Sequence, residues 1–278
     1  MTLRLDGIGY RYAGANRPSL LEIDLELHDG VVVGLVGASE AGKTTLCLVA
    51  SGLAPRAIGG QIRGHITLNG QDVDAWAMHE LSRRIGIGFQ NPATQLSQVA
   101  GTVFEEVAFG PMNLGLPRDE VIERAWTALD ALGIDALAER DPRRLSGGQQ
   151  QLLAIAGLLA MRPDHLVLDE PTAQLDPAGT RLVGDAIGRL AAEGASILVA
   201  EQKTDLLAEV AAEVVVLADG RMALHGPTET VLADPRLVEL GVAAPSAIRL
   251  RRAAAAAGTA TDRLEEALEG ALEVALDG

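Results

Sequence analysis

Val31-Val32-Val33-Gly34-Leu35-Val36 is a continuous apolar run leading straight into Gly37-Ala38-Ser39-Glu40-Ala41-Gly42-Lys43-Thr44. No other junction in the chain constrains its fold as strongly. An unbroken apolar run of this length suits a parallel strand buried on both faces. Thr44 to Ala50 continues as a helix that stops near Gly52. A glycine-rich turn from a buried strand into a helix aims backbone N–H groups at the positive helix end, where they cradle phosphate. Here Gly37, Ala41 and Gly42 supply the turn, and the N–H groups of Ser39 through Glu40 to Thr45 form the cradle. Lys43 sets a cation beside the outer phosphates, and the Thr44 hydroxyl suits Mg2+.

One such match arises by chance in about one chain in a hundred of this size, so further motifs must carry the reading. Leu145-Ser146-Gly147-Gly148-Gln149 is a second glycine-rich turn, opening an apolar helix. Ser146, Gly147, Gly148 and Gln149 at a helix N-terminus make another anion site. Beyond it, Leu166-Val167-Leu168-Asp169-Glu170 is an apolar strand delivering two carboxylates at its end. Asp169 is placed to hold Mg2+, and Glu170 to act as general base on an attacking water.

The remaining pattern is α/β. Leu3, Leu5, Ile23, Leu25 and Leu27 alternate as in an antiparallel sheet. His65 to Leu68 followed by Asn69-Gly70 reads as a β-hairpin. Ile85 to Phe89, His165 to Leu168 and Ser196 to Val199 read as short strands. Val214 to Leu217, with its Asp219-Gly220 turn, reads as the last strand. Asn91 to Met161 reads as mostly helical, broken at Pro111, Pro117 and Pro142, and forms a lateral lobe. In the tail, Leu264, Leu268, Leu272 and Leu276 make an apolar stripe on an acidic helix. That helix has two readings: packing on its own domain, or contact with a partner.

A hydrophobic content of 48% with only 3% aromatic residues calls for a core of Leu, Val, Ile and Ala. The formal net charge of −15 argues against nucleic acid or anionic lipid as a partner. Cys47 reads as helix-face packing. Histidines 28, 65, 79 and 165 lack metal-ligand spacing and read as surface or strand residues, so no structural metal is expected. The N-terminus carries no signal-peptide pattern, and the longest apolar runs are too short to span a bilayer. The expected protein is cytosolic, able to dock on a membrane protein.

Together these motifs resemble the ATP-binding subunit of an ABC transporter over about residues 3 to 240. More narrowly, the chain resembles the energy-coupling-factor (ECF) type, importers of vitamins and transition-metal ions. Phe89-Gln90-Asn91-Pro92 with Gln95, Thr102 to Pro111, and Asn113-Leu114-Gly115-Leu116-Pro117 carry that narrower match. The resemblance implies a P-loop NTPase with a RecA-like core, an antiparallel β subdomain and a helical lobe at about 91–161. Residues 1–240 would form the ABC ATPase domain and 241–278 a C-terminal helical extension. ATP and Mg2+ are the implied cofactors, and the implied activity is ATP hydrolysis coupled to transport. Two such domains, identical or different, would sandwich two ATP molecules head to tail. Residues 146–149 of one subunit would then face the γ-phosphate held by the other.

The resemblance also implies a transmembrane coupling subunit and a separate substrate-binding membrane subunit. The chain would sit peripherally on the cytoplasmic face of the membrane. By the same resemblance Gln90 touches Mg2+ or water and senses the membrane partner. Tyr12 matches the aromatic that stacks on adenine, with Tyr10 competing. Asp176 matches an aspartate that crosses the dimer interface; a helix cap before Pro177 is its other reading.

Two positions depart from the family pattern. Glu40 stands where glycine is usual, putting a carboxylate near a polyanion and removing a permissive backbone residue. Weakened ATP binding is one consequence; a side chain turned to solvent is the other. In Ala200-Glu201-Gln202-Lys203, Gln202 takes the place of a switch histidine. Glutamine donates a hydrogen bond but carries neither a proton nor a charge. Slow hydrolysis at this chain's own phosphate loop is the expectation, which leaves a nucleotide-gated binding module with a slow site as the alternative function.

Overall fold

A computed structural model describes residues 2–256. The tail stripe from Leu264 to Leu276 lies outside the described residues. The chain opens with β1 (Thr2–Arg11) and β2 (Leu20–His28), followed by β3 (Val32–Gly37) and α1 (Lys43–Ala50). Next come β4 (Gln61–Leu68), β5 (Gln71–Asp72), α2 (Met78–Arg84) and β6 (Ile85–Gly88). Three helices then follow: α3 (Val103–Asn113), α4 (Arg118–Ala131) and α5 (Gly147–Met161). The second half alternates: β7 (His165–Asp169), α6 (Pro177–Ala192), β8 (Ser196–Ala200), α7 (Thr204–Val210) and β9 (Glu213–Ala218). β10 (Arg221–Pro227), α8 (Thr228–Leu232) and α9 (Ser246–Ala256) complete the described chain.

The alternating N-terminal segments pair as expected, in an antiparallel sheet of order β2-β1-β4-β5. Leu3, Leu5, Ile23, Leu25 and Leu27 all point into the core. Asn69 and Gly70 have φ of 52° and 77°, the left-handed pair that a two-residue hairpin between β4 and β5 needs.

The second sheet has the order β10-β9-β3-β8-β7-β6 and is parallel from β9 to β6. β3 lies inside it, between β8 and β9, which is why its sequence is apolar on both faces. Val33 and Leu35 face α1 and the antiparallel sheet, while Val32 and Val36 face the helical side. Cys47 is fully buried on α1, and burial pushes its thiol pKa well up, as packing rather than reactivity requires. His165 is a buried strand residue whose Nδ1 meets the Ser196 hydroxyl.

Two expectations are corrected. Val214 to Leu217 is not the last strand: β10 pairs antiparallel with β9 at the sheet edge. Its half-exposed alternation and its Gly226-Pro227 end hid it from sequence reading. Pro111 does not break a helix either. It sits in the final turn of α3, where its missing N–H costs a single intrahelical bond, and the chain turns only at Gly115, φ 75°. The break at Pro117 does occur, since that residue precedes α4.

Candidate functional site

Parallel strands bring their C-terminal ends to one edge, and ligand sites form there. In this sheet that edge gathers the turn after β3, Gln90 after β6, Asp169 and Glu170 at the end of β7, and Gln202 after β8. A cavity of about 690 Å³ opens on it. Ser39, Glu40, Gly42, Lys43, Thr44 and Thr45 line it together with Gln90, Glu170 and Gln202. Gly37 and Ala41 belong to the same turn but are not among the lining residues. A Cβ on Gly37 would lie 2.5 Å from the Leu217 carbonyl oxygen, so no larger residue fits there. Lys43 is buried, and its Nζ donates to the Gly37 and Ala38 carbonyls at 2.8 and 3.0 Å. Those bonds hold the ammonium inside the turn.

Glu170 has φ 49°, a left-handed conformation unusual for a side-chain-bearing residue. Its backbone N–H donates to the Ala200 carbonyl at 2.8 Å, tying the end of β7 to β8. Gln90 Nε2 donates to one carboxylate oxygen at 2.8 Å. Gln202 Nε2 donates to the other, also at 2.8 Å. Two neutral amides thus fix the orientation of the carboxylate without protonating it.

Asp169 is 5% exposed, and burial raises its carboxyl pKa from the ordinary value. A hydrogen bond from Thr44 and the charge of Lys43 oppose that rise, while the Glu170 charge adds to it. A buried carboxylate bonded to a hydroxyl, with an amide-held carboxylate next to it, is a donor set of hard oxygens that fits Mg2+.

Sequence reading passed over Glu201. It is 2% exposed and accepts from the Thr172 N–H and hydroxyl at 3.0 and 2.6 Å, and from the Gln202 N–H at 3.1 Å. It therefore locks the Gln202 loop to the loop after Glu170. The available signal was a carboxylate directly after the apolar run Ile197 to Ala200 of β8.

The loop carrying Gln90 is tied to the helical lobe by Gln95. The Gln95 side chain accepts from the Phe89 N–H at 3.1 Å and donates to the Ala154 carbonyl of α5 at 3.0 Å. Thr102 and Glu105 cap α3 reciprocally. Ser146 and Gln149 do the same for α5, leaving the Gly147 and Gly148 backbone at the helix mouth. The turn 146–149 is not part of the cavity lining. Asp176 is the N-cap of α6, accepting from the Gly179 N–H at 2.7 Å. Between the two tyrosines, Tyr10 is buried, with its hydroxyl on the Gly59 carbonyl. Tyr12 is half-buried, with its hydroxyl 3.2 Å from Thr45 Oγ1, so it is the one at the phosphate turn.

With this geometry established, known proteins supply the family. The model of the ABC transporter family matches residues 20–173. The chain belongs to the ABC transporter ATP-binding family. This ABC ATPase is 39% identical over 250 residues to a Pyrococcus horikoshii protein provisionally named an ABC transporter ATP-binding protein, covering 89% of this chain and 87% of that one. It is 38% identical over 214 residues to the energy-coupling factor transporter ATP-binding protein EcfA of Methanocaldococcus jannaschii, covering 76% and 74% of the two chains. Among solved structures it is similar to CbiO1 of Clostridium perfringens, described as part of the ABC transporter complex CbiONQ. That match has a TM-score of 0.73 and 31% identity, and covers 85% of this chain and 92% of CbiO1. The fold is the P-loop NTPase fold of ABC ATPases, and the chain is an ATP-binding, ATP-hydrolysing transporter subunit. Among the described residues, no helix is long and apolar enough to cross a membrane.

Proposed function

We propose that this ABC ATPase is the motor subunit of an ECF-type importer, working as a dimer on the cytoplasmic face of the membrane. The observation that carries this reading is the Glu170 carboxylate, held by Gln90 and Gln202 in the same cavity that Lys43 and Thr44 line. The ATP phosphates would lie on the 37–45 turn, with the Lys43 ammonium beside the outer ones. Thr44, Asp169 and Gln90 would hold Mg2+, which when bound spreads the negative charge of the phosphates. Glu170 would take a proton from the attacking water, with Gln90 and Gln202 keeping its oxygens in register. Tyr12 would stack on the adenine. Ser146, Gly147, Gly148 and Gln149 would complete the site of a second ATP-binding subunit, with Asp176 at the interface. That the turn 146–149 lies outside the cavity lining supports this division between subunits.

The ECF assignment rests on the Phe89-to-Pro117 segment and on relatives named as energy-coupling factor and CbiO subunits. Gln95 links the Gln90 loop to α5, offering a path from a membrane coupling subunit to the hydrolytic residue. Residues 1–240 would be the ATPase unit, with 91–161 as its lobe and 241–278 as an appendage. A second reading is favoured by Glu40 and Gln202: a slow, nucleotide-gated site in a heterodimer.

Purification of the complex from detergent-solubilised membranes, followed by steady-state ATPase assays with and without Glu170→Gln, tests both. Glu170→Gln should lower turnover roughly 10²- to 10⁴-fold while retaining ATP binding. A fast wild-type rate that Glu170→Gln leaves unchanged refutes the role of Glu170. A wild-type rate already at the mutant level favours the slow-site reading. Recovery of the chain without any membrane subunit refutes the importer assignment.

A further inference from the structure

We propose that Arg17 is the second cation of the nucleotide cavity, binding the phosphates alongside Lys43 and offsetting the carboxylate of Glu40. The proposal rests on reading this cavity as the ATP site. The cavity lining carries Glu40, Glu170 and Asp219 against Arg17 and Lys43. A polyanion therefore meets a wall one negative charge in excess, even with both cations counted. Lys43 is already committed to the Gly37 and Ala38 carbonyls, deep in the turn. Arg17 is the remaining cation at the rim.

Its position is set by backbone packing. Arg17 lies in the segment between β1 and β2, whose two ends are anchored at the cavity. At one end the Tyr12 hydroxyl lies 3.2 Å from Thr45 Oγ1. At the other, the Ser19 N–H donates to the Tyr10 carbonyl at 2.7 Å, and the Leu21 N–H to the Gly220 carbonyl at 2.8 Å. The Ser19 carbonyl oxygen presses on the phosphate turn itself. A Cβ on Gly42 would come within 2.9 Å of it, and one on Gly220 within 2.6 Å. The backbone two residues from Arg17 is thus seated on the residue before Lys43, which puts the guanidinium within reach of what the turn holds.

Arg17 is exposed and makes no hydrogen bond or ion pair among the described residues. A guanidinium presents a planar fork of donors matched to phosphate oxygens, and it stays charged at every working pH. A phosphate ligand gives it the partner it otherwise lacks. Arg17 would then restore the attraction that Glu40 removes, and would favour nucleotides by their phosphates rather than by their base.

Calorimetric titration of the full-length chain with Mg-ATP, ADP and adenosine tests this, using wild type, Arg17→Ala, Arg17→Lys and Lys43→Ala. Arg17→Ala should weaken Mg-ATP binding roughly five- to twenty-fold and leave adenosine unchanged. Arg17→Lys should recover most of the loss, and 0.5 M salt should shrink it. Mg-ATP affinity within two-fold of wild type in Arg17→Ala, with Lys43→Ala strongly impaired, overturns the assignment. So does an equal loss for adenosine. Full ATP affinity in Lys43→Ala instead refutes the cavity itself as the ATP site, and the proposal with it.

Discussion

Glu40 combines two separable costs at one position, and substitution can resolve them. Its φ is 65°, it is exposed, and it lines the cavity beside Lys43. An L-residue in the left-handed region costs about 1–2 kcal/mol, of which glycine returns about 0.5–1 kcal/mol through its freer unfolded chain. Glu40→Gly should therefore stabilise the protein by up to about 1.5 kcal/mol, a rise in Tm of about 0–3 °C. The charge term is independent. At a separation of roughly 7 Å in water, a carboxylate opposes each unit of ligand charge by about 0.6 kcal/mol. For Mg-ATP at about −2 that is about 1.2 kcal/mol, close to eight-fold in Kd at low salt, and about two-fold once 0.15 M salt screens it. Glu40→Gln removes only the charge. It should tighten Kd by those factors and leave Tm unchanged, whereas Glu40→Gly should improve both. Calorimetric titration at two salt concentrations, with thermal unfolding of each variant, separates the terms. Unchanged or weakened ATP binding by Glu40→Gln at low salt would refute the electrostatic argument, and unequal gains in ATP affinity for Gln and Gly would refute the separation of terms.

Gln202→His should raise steady-state turnover several-fold, because imidazole can carry the charge that the amide cannot; an unchanged or lower rate in the reconstituted complex counts against that role. Asp169→Asn should raise the Tm of the nucleotide-free protein at pH 7.5 while abolishing Mg-dependent stabilisation by ATP. The sign follows from the raised Asp169 pKa: the folded state favours the protonated carboxyl, so stability is fully present below about pH 4 and lost as pH rises through the raised value. The Asn gain should accordingly shrink as pH falls toward about 4, and a gain independent of pH would be inconsistent with it. Gly64→Ala should destabilise by about 2 kcal/mol or more on denaturant titration. Gly64 has φ 80°, and a Cβ there would lie 2.3 Å from the Asp6 carbonyl oxygen; a change under about 0.5 kcal/mol would mean the β1–β4 crossing relaxes freely.

The sequence by itself determined the parts governed by neighbouring residues. The apolar run of β3, the turn 37–44 and the helix after it follow from local periodicity and glycine content. So do the capped turn 146–149 and the Asp169-Glu170 pair. Buried on both faces, β3 could only be an inner strand, so the layered α/β class followed. What the tertiary structure decided depends on strand order and register. Gln90 and Glu170 are 80 residues apart, and Glu170 and Gln202 are 32 apart, yet all three share one carboxylate clamp. That clamp exists because β6, β7 and β8 are parallel neighbours ending at one edge. Burial, not sequence, separated Tyr12 from Tyr10, and made Glu201 a lock between loops. Backbone geometry turned the Glu40 departure from a change of residue type into a strained φ. Edge strand β10 escaped notice because half-exposed alternation is weak until a partner strand supplies its hydrogen bonds. Local chemistry is written in adjacent residues; convergence at the sheet edge is a property of the folded register, which no single segment encodes.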